Sequence, residues 1–299
     1  MEDLELLENV SLKKFNTFNI GGFCKYFYSP KNSEELLYGL KKIKENNLKY
    51  FIIGGGSNII LPDEDFDGVV ISLKKIKKIK VIKNIATIDA GVTLGFMNNS
   101  LLKKGYTDFI WASAIPGTLG GALMINAGAH GHDMYENLIS IKVIKDDKFS
   151  TLKKKDIKYG YRNTNLKDVI IVSATFSVKK GDNFAAVEKM KEWTKERISK
   201  QPIDKLNAGS TFKNPVNNYA GKIIEDCGLK SMVVGDAQVS DKHANFIVNN
   251  KNATSSEIKE LIQIIKAKVK KNHNIDLELE NEIVDWNNLW KKNWSLEEG

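Results

Sequence analysis

Tyr50-Phe51-Ile52-Ile53-Gly54-Gly55-Gly56-Ser57-Asn58 reads as a short apolar strand that runs straight into three residues without a Cβ and two short polar side chains. Consecutive glycines let backbone amides face an anion such as a diphosphate, and Ser57 and Asn58 add hydrogen-bonding groups. The pattern is neither G-x-G-x-x-G nor a Walker loop with its terminal Lys-Ser/Thr, so nucleotide hydrolysis is not indicated. Taken alone, it fits a plain glycine-rich turn equally well. A second cluster shifts the balance: Ala114-Ile115-Pro116-Gly117-Thr118-Leu119-Gly120-Gly121-Ala122, running on into Asn126-Ala127-Gly128-Ala129-His130-Gly131. Residues this small over such a length let a backbone press against a flat or phosphate-bearing ligand. Two such loops in one domain argue for a large dinucleotide rather than for packing.

Around these loops, strands and helices alternate in an α+β manner, without repeats or low-complexity stretches. Asn32 precedes Glu35 by three residues, and Leu36, Leu37, Leu40 and Ile43 follow at helical spacing, which predicts a capped amphipathic helix. Val69–Leu73 and Ile85–Ala90 read as strands, and Thr93 caps a helix that buries Leu94, Met97 and Leu101 and stops at Gly105. Ser140–Ile144 and Val169–Val178 read as strands, and Lys179–Asn183 as a boundary before a helix over Phe184–Lys200. Thr254 and Glu257 form a capping box ahead of the stripe Ile258, Leu261, Ile262, Ile265 and Val269. Ile275–Val284 alternates, which predicts a strand with Glu278, Glu280 and Glu282 on one face.

Composition bounds what such a chain can be. With 299 residues, 42% hydrophobic and 27% charged, it is long enough for two domains with substantial cores. No apolar run approaches a membrane span. The first ten residues carry four acids and no base, opposite to a secretory start, so a cytoplasmic protein is expected. Two cysteines, Cys24 and Cys227, make no disulfide framework, and no metal site is indicated. The net charge of +8 invites a nucleic-acid partner, but the excess is nearly all lysine, dispersed over the chain. Its densest cluster, Lys74–Lys83, reads as the solvated side of a strand or turn, leaving nucleic-acid binding a minor alternative.

Only two arginines are present, Arg162 and Arg197. In so lysine-rich a chain, they mark places where the guanidinium fork matters. Arg162 lies in Tyr159-Gly160-Tyr161-Arg162-Asn163-Thr164, where a desolvated fork could hold a carboxylate bidentately. Arg197, late in the helix before Pro202, reads as a structural or binding-edge residue. Ala208-Gly209-Ser210-Thr211-Phe212-Lys213-Asn214-Pro215 sets a hydroxyl among small residues near a lysine. There is no G-x-S-x-G elbow and His243 falls in no triad context, so Ser210 reads as a proton donor rather than a hydrolase nucleophile.

In this order, these blocks resemble the UDP-N-acetylenolpyruvoylglucosamine reductase family, flavoenzymes of bacterial cell-wall precursor synthesis. The resemblance also takes in Asn16-Thr17-Phe18-Asn19-Ile20-Gly21-Gly22, Ala220-Gly221, Val239-Ser240-Asp241-Lys242-His243-Ala244-Asn245-Phe246 and Leu277–Glu280. It implies an FAD-binding domain of the vanillyl-alcohol-oxidase/PCMH type over 1–183, with two α+β subdomains of about 1–75 and 76–183, and a substrate-binding α+β domain over 184–299. FAD is expected on Gly54, Gly55, Gly56, Ser57, Asn58, Ser113, Ala114, Pro116, Gly117, Thr118, Gly120, Gly121, Asn126, Ala127 and Gly128. The resemblance makes Ser210 the proton donor, with Arg162 and Glu280 as its catalytic partners, and implies Tyr161, Lys213 and Asn214 as substrate-binding residues.

The implied reaction is reduction of UDP-N-acetylglucosamine enolpyruvate to UDP-N-acetylmuramate by NADPH, in a ping-pong sequence, by a cytoplasmic monomer with no nucleic-acid or membrane partner. The stretch from Arg162 to Ser210 is too short for the extra tyrosine-bearing loop of one branch, so the chain resembles the shorter branch. It departs from the usual pattern at Ala114 (glycine), Thr164 (serine) and His130 (an aromatic). Two alternatives stand beside this reading: an alcohol or sugar oxidase of the same fold, which could attach flavin through His130, and a non-enzymatic sugar-nucleotide binder. Packing against the body is the expectation for the tail with Trp286, Trp290 and Trp294.

Overall fold

The computed structural model describes residues 3–289. Its first sheet has the order Leu6–Ser11, Phe23–Tyr28, Phe66–Ser72, Lys49–Ile53. The first pair is antiparallel and the other two are parallel. Phe66–Ser72 is buried along nearly its whole length because both faces are covered, as expected of a central parallel strand. Val69 and Ile71 join one core, and Phe66 and Val70 join another. Helix α1, Ser33–Glu45, packs on the first of these faces through Leu36, Leu40 and Ile43. Its predicted start is correct: Asn32 Oδ1 accepts from Glu35 N at 2.8 Å.

The second sheet is fully antiparallel, ordered Lys148–Lys153, Leu138–Lys145, Ile170–Ser177, Ile85–Asp89, Ile79–Ile82. Helices α2, Leu94–Leu102, and α3, Leu119–Met124, bury their apolar residues in the same core as this sheet, so one continuous core joins both sheets. Helix α4, Asn183–Lys200, leans on that core through Trp193. The His130 ring lies flat on Trp193 at 4.3 Å and 10°.

A third cluster of buried residues belongs to the C-terminal part. Helices α5, Ala220–Asp226, and α6, Ser255–His273, cover a small antiparallel sheet of Val233–Val234, Ala237–Val239 and Ile247–Asn249. Both halves of the capping box at Thr254 and Glu257 are present. Phe18, Ile20 and Ile60 of the N-terminal part are members of this cluster too. The chain closes by returning: Glu282–Ile283 pairs in parallel with Ile59–Ile60, directly after the first glycine loop.

One predicted element is corrected. Ile275–Val284 is not a continuous strand; within it, only Leu279 bridges Phe212, and Glu282–Ile283 pairs elsewhere. The chain bends at Glu280–Asn281, so the three acids part company. The Glu278 side chain is 72% exposed and pairs with Lys213, whereas that of Glu280 is 16% exposed. Bridging to two different partners overrides the two-residue period. In the tail, Trp286 stacks on Phe66 at 4.5 Å and its Nε1 donates to Glu64 O at 3.0 Å; Trp290 and Trp294 lie outside the described residues.

Candidate active site

A cleft of about 450 Å³ opens where the first sheet, α3, the end of α4 and the C-terminal part converge. Its upper wall is the pair of glycine loops, which touch. A Cβ on Gly55 would stand 2.5 Å from the Gly117 Cα, so neither loop tolerates a larger residue at this crossing. Gly56 has φ +68°, and a Cβ there would strike Phe15 O. Ser57 Oγ donates to Pro116 O at 3.0 Å and ties the loops together. The Asn16–Gly22 block braces them from behind: Asn16 Nδ2 donates to Ile20 O at 2.8 Å, and Thr17 N donates to Gly56 O at 3.0 Å. Ile115, Met124 and Val169–Ile171 give the cleft an apolar side. Bare backbone beside an apolar wall suits a flat dinucleotide, and at Gly121 a Cβ would meet nothing nearer than Thr118 Oγ1 at 3.8 Å.

Of the fifteen expected cofactor contacts, Gly54 to Asn58, Pro116, Gly117, Thr118, Gly120, Gly121, Ala127 and Gly128 line this cleft. Ser113 and Ala114 directly precede the first lining residue of their loop, Ile115, and do not line the cleft themselves. Asn126 is buried behind the wall, and its Nδ2 donates to Gly160 O at 2.9 Å.

Arg162 projects from the two-residue turn between Tyr159–Gly160 and Asn163–Thr164, with a left-handed backbone at φ 53°. Its Nε donates to Glu280 Oε1 at 2.8 Å and its Nη2 to Gly128 O at 2.7 Å. Burial pushes the Glu280 carboxyl above its ordinary range, and the Arg162 charge only partly offsets this. Ser210 lines the same cleft. Its loop is held from two sides. Asn245 Oδ1 accepts from Phe212 N at 3.0 Å, and its Nδ2 donates to Phe212 O at 2.8 Å. Asn281 Nδ2 donates to Ala208 O at 2.8 Å, to Ser210 O at 3.2 Å and to Asn58 Oδ1 at 3.1 Å. Arg162, Ser210 and Glu280, far apart in the chain, thus line one space.

None of the three expected substrate-binding residues is among those that line the cleft. Tyr161 is 55% exposed, with the Arg162 guanidinium 5.1 Å from its ring centroid. Lys213 pairs with Glu278, and Asn214 Oδ1 accepts from Ala220 N at 3.1 Å, starting α5. Arg197, Gln201 and Phe246 also line the cleft, and sequence reasoning did not place them there. For Arg197 a signal existed, its rarity; for Gln201 there was none.

Fold and site together define a flavoenzyme, an FAD-dependent oxidoreductase whose cofactor domain and C-terminal domain share one cleft. Residues 24–148 match the model of an FAD binding domain, and residues 201–284 match the UDP-N-acetylenolpyruvoylglucosamine reductase, C-terminal domain. The chain belongs to the UDP-N-acetylenolpyruvoylglucosamine reductase family. It is 36% identical to the reductase of Clostridium novyi, over 94% of this chain and 92% of that protein. It is 38% identical to that of Prochlorococcus marinus, over 94% of this chain and 97% of that protein. The crystal structure of the reductase from Thermus caldophilus superposes with a TM-score of 0.80 at 28% identity, covering 94% of this chain and 99% of that one.

Proposed function

We propose that the protein reduces the enolpyruvyl ether of UDP-N-acetylglucosamine enolpyruvate to UDP-N-acetylmuramate, with NADPH as hydride donor, as a step in peptidoglycan precursor synthesis. When bound, FAD would supply the hydride-transfer chemistry between NADPH and the enolpyruvyl ether. Gly54–Asn58 and Pro116–Gly121 are the residues that would hold it.

The residues of this chain do the rest. Hydride addition leaves enolate-like charge on the neighbouring carbon and its carboxylate. Arg162, already fixed by Glu280 and Gly128, meets that charge with a preorganised fork. Ser210 Oγ has no protein hydrogen-bond partner among the described residues, so it can point its proton at that carbon. Glu280, its carboxyl biased toward the protonated form, donates a hydrogen bond to the substrate carboxylate when it holds its proton. Tyr161, Lys213 and Asn214 would guide the rest of the substrate from beyond the cleft lining. The observation that most supports this reading is the convergence of the Arg162–Glu280 pair and the Ser210 loop on the wall facing the glycine loops.

In this reading the division into 1–183 and 184–299 separates cofactor from substrate binding, with α4 as a connector that leans on the first part. The enzyme works as a cytoplasmic monomer without nucleic-acid or membrane partners. No helix among the described residues is long and apolar enough to cross a membrane. The test is NADPH consumption by the flavin-loaded protein with and without UDP-N-acetylglucosamine enolpyruvate. Oxidation that depends on the enolpyruvyl compound is expected, and its absence would sink the reading.

A further inference from the structure

Arg197 stands in the last turn of α4, four residues before Gln201, and both side chains line the cleft. Two other basic residues lining the cleft are engaged: Arg162 is paired with Glu280 at 2.8 Å, and Lys167 has a partner of its own. The Arg197 side chain makes no hydrogen bond or ion pair among the described residues. Burial pushes its guanidinium below the ordinary value. Nearby, Gln201 Oε1 is buried without a hydrogen-bond partner. A guanidinium does not shed its charge, so its desolvation stays uncompensated until an anion reaches it.

The end of α4 is held in place by both halves of the molecule. Trp193 carries the His130 ring at 4.3 Å. Lys242 Nζ donates to Ile198 O at 2.5 Å, and Gln201 N donates to Arg197 O at 2.9 Å. A basic residue in a last helical turn also gains from the helix dipole, but that gain needs neither a cleft nor an unpartnered amide beside it.

We propose that Arg197 and Gln201 form a phosphate-binding subsite for the nucleotide ligands that enter and leave the cleft. The assignment rests on the reaction proposed above. There, Arg162 serves the substrate carboxylate, and FAD has its own seat on the glycine loops. Lys213 is paired with Glu278 and is not among the residues lining the cleft, so within the cleft the anion left for Arg197 is the diphosphate, which NADPH and a UDP-sugar both carry. Gln201 Oε1 then accepts from a sugar hydroxyl next to that diphosphate, while the Arg197 fork takes two of its oxygens.

Isothermal titration of the FAD-loaded protein with UDP and, separately, with NADP⁺ tests this in the wild type, Arg197→Met and Arg197→Lys. Arg197→Met should weaken at least one probe by about 10–100-fold, the loss expected for a charge-assisted bond, and Arg197→Lys should recover part of it. FAD content should not change. The probe that weakens identifies which ligand brings the phosphate. The proposal is overturned if both probes bind Arg197→Met within about two-fold of wild type, if neither binds the wild type, or if FAD is lost while probe affinity is kept. Wild-type NADPH oxidation with the enolpyruvyl substrate is measured alongside. If it persists while probe binding ignores Arg197, the subsite falls and the reaction stands.

Discussion

Arg162 sits in a left-handed turn, a conformation that costs a non-glycine residue about 1 kcal/mol or more and that concentrates at functional sites. Its fork already spends donors on Glu280 and Gly128, which fixes the plane offered to a ligand. A lysine offers one point charge and no plane. Arg162→Lys should therefore keep the flavin and the fold but lower substrate-dependent turnover by about 10²–10³-fold, the usual cost of removing a preorganised charge donor. Near-normal kcat at unchanged flavin content would remove Arg162 from the mechanism. Glu280 carries a second prediction. Its carboxyl holds its proton to higher pH in the folded protein than in the unfolded chain, because burial outweighs Arg162. The native state then binds more protons than the unfolded one, so this group's contribution to stability falls as pH rises from about 4.3 toward neutrality. Glu280→Gln should flatten that fall in urea midpoints measured across the range; an unchanged slope would contradict it.

At the scale of elements, the site is a seam between loops that do not hold their shape alone. Asn281 serves three acceptors with one amide group, and Asn58 Nδ2 returns a bond to Glu280 O at 3.0 Å. This knot ties the first glycine loop, the Ser210 loop and the Glu280 bend to one another. Asn281→Ala leaves buried acceptors without donors and should cost about 1–3 kcal/mol in unfolding free energy. It should also lower kcat more than it raises KM, because Ser210 and Glu280 lose their common support. A stability loss with kcat intact would make the knot purely structural. The Val239–Phe246 block belongs to the same scale. Its His243 falls in no triad context, and in the fold its Asn245 clamps the backbone of Phe212.

Across the whole molecule, the C-terminal segment crosses back to the first sheet and seals it. Trp286 is 8% exposed, fills the face formed by Phe51 and Phe66, and follows directly on the Glu282–Ile283 pairing with Ile59–Ile60. Trp286→Ala should cost about 3–5 kcal/mol, seen as a lower denaturant midpoint. Because the same return strand positions the Glu280 bend, flavin retention should fall with it. A midpoint shift worth less than about 1 kcal/mol would show that this segment is not part of the main core.

The sequence by itself determined the local elements and the chemistry on offer. The Asn32 and Thr254 caps, the helical stripes, the two glycine loops, and the motifs holding Arg162 and Ser210 were legible because each depends on neighbours a few residues away. The Ile275–Val284 segment was misread as one strand because its alternation is real, while its pairing is divided between Phe212 and Ile59–Ile60. Only the tertiary structure decided that Glu280 and not Glu278 faces the cleft, that Asn281 joins three loops, and that Arg197 lines the ligand space without a counter-ion among the described residues. Those facts depend on which surfaces are covered and which charges are brought together from distant parts of the chain. Desolvation and long-range pairing set both, and neither is encoded in the spacing of any one segment.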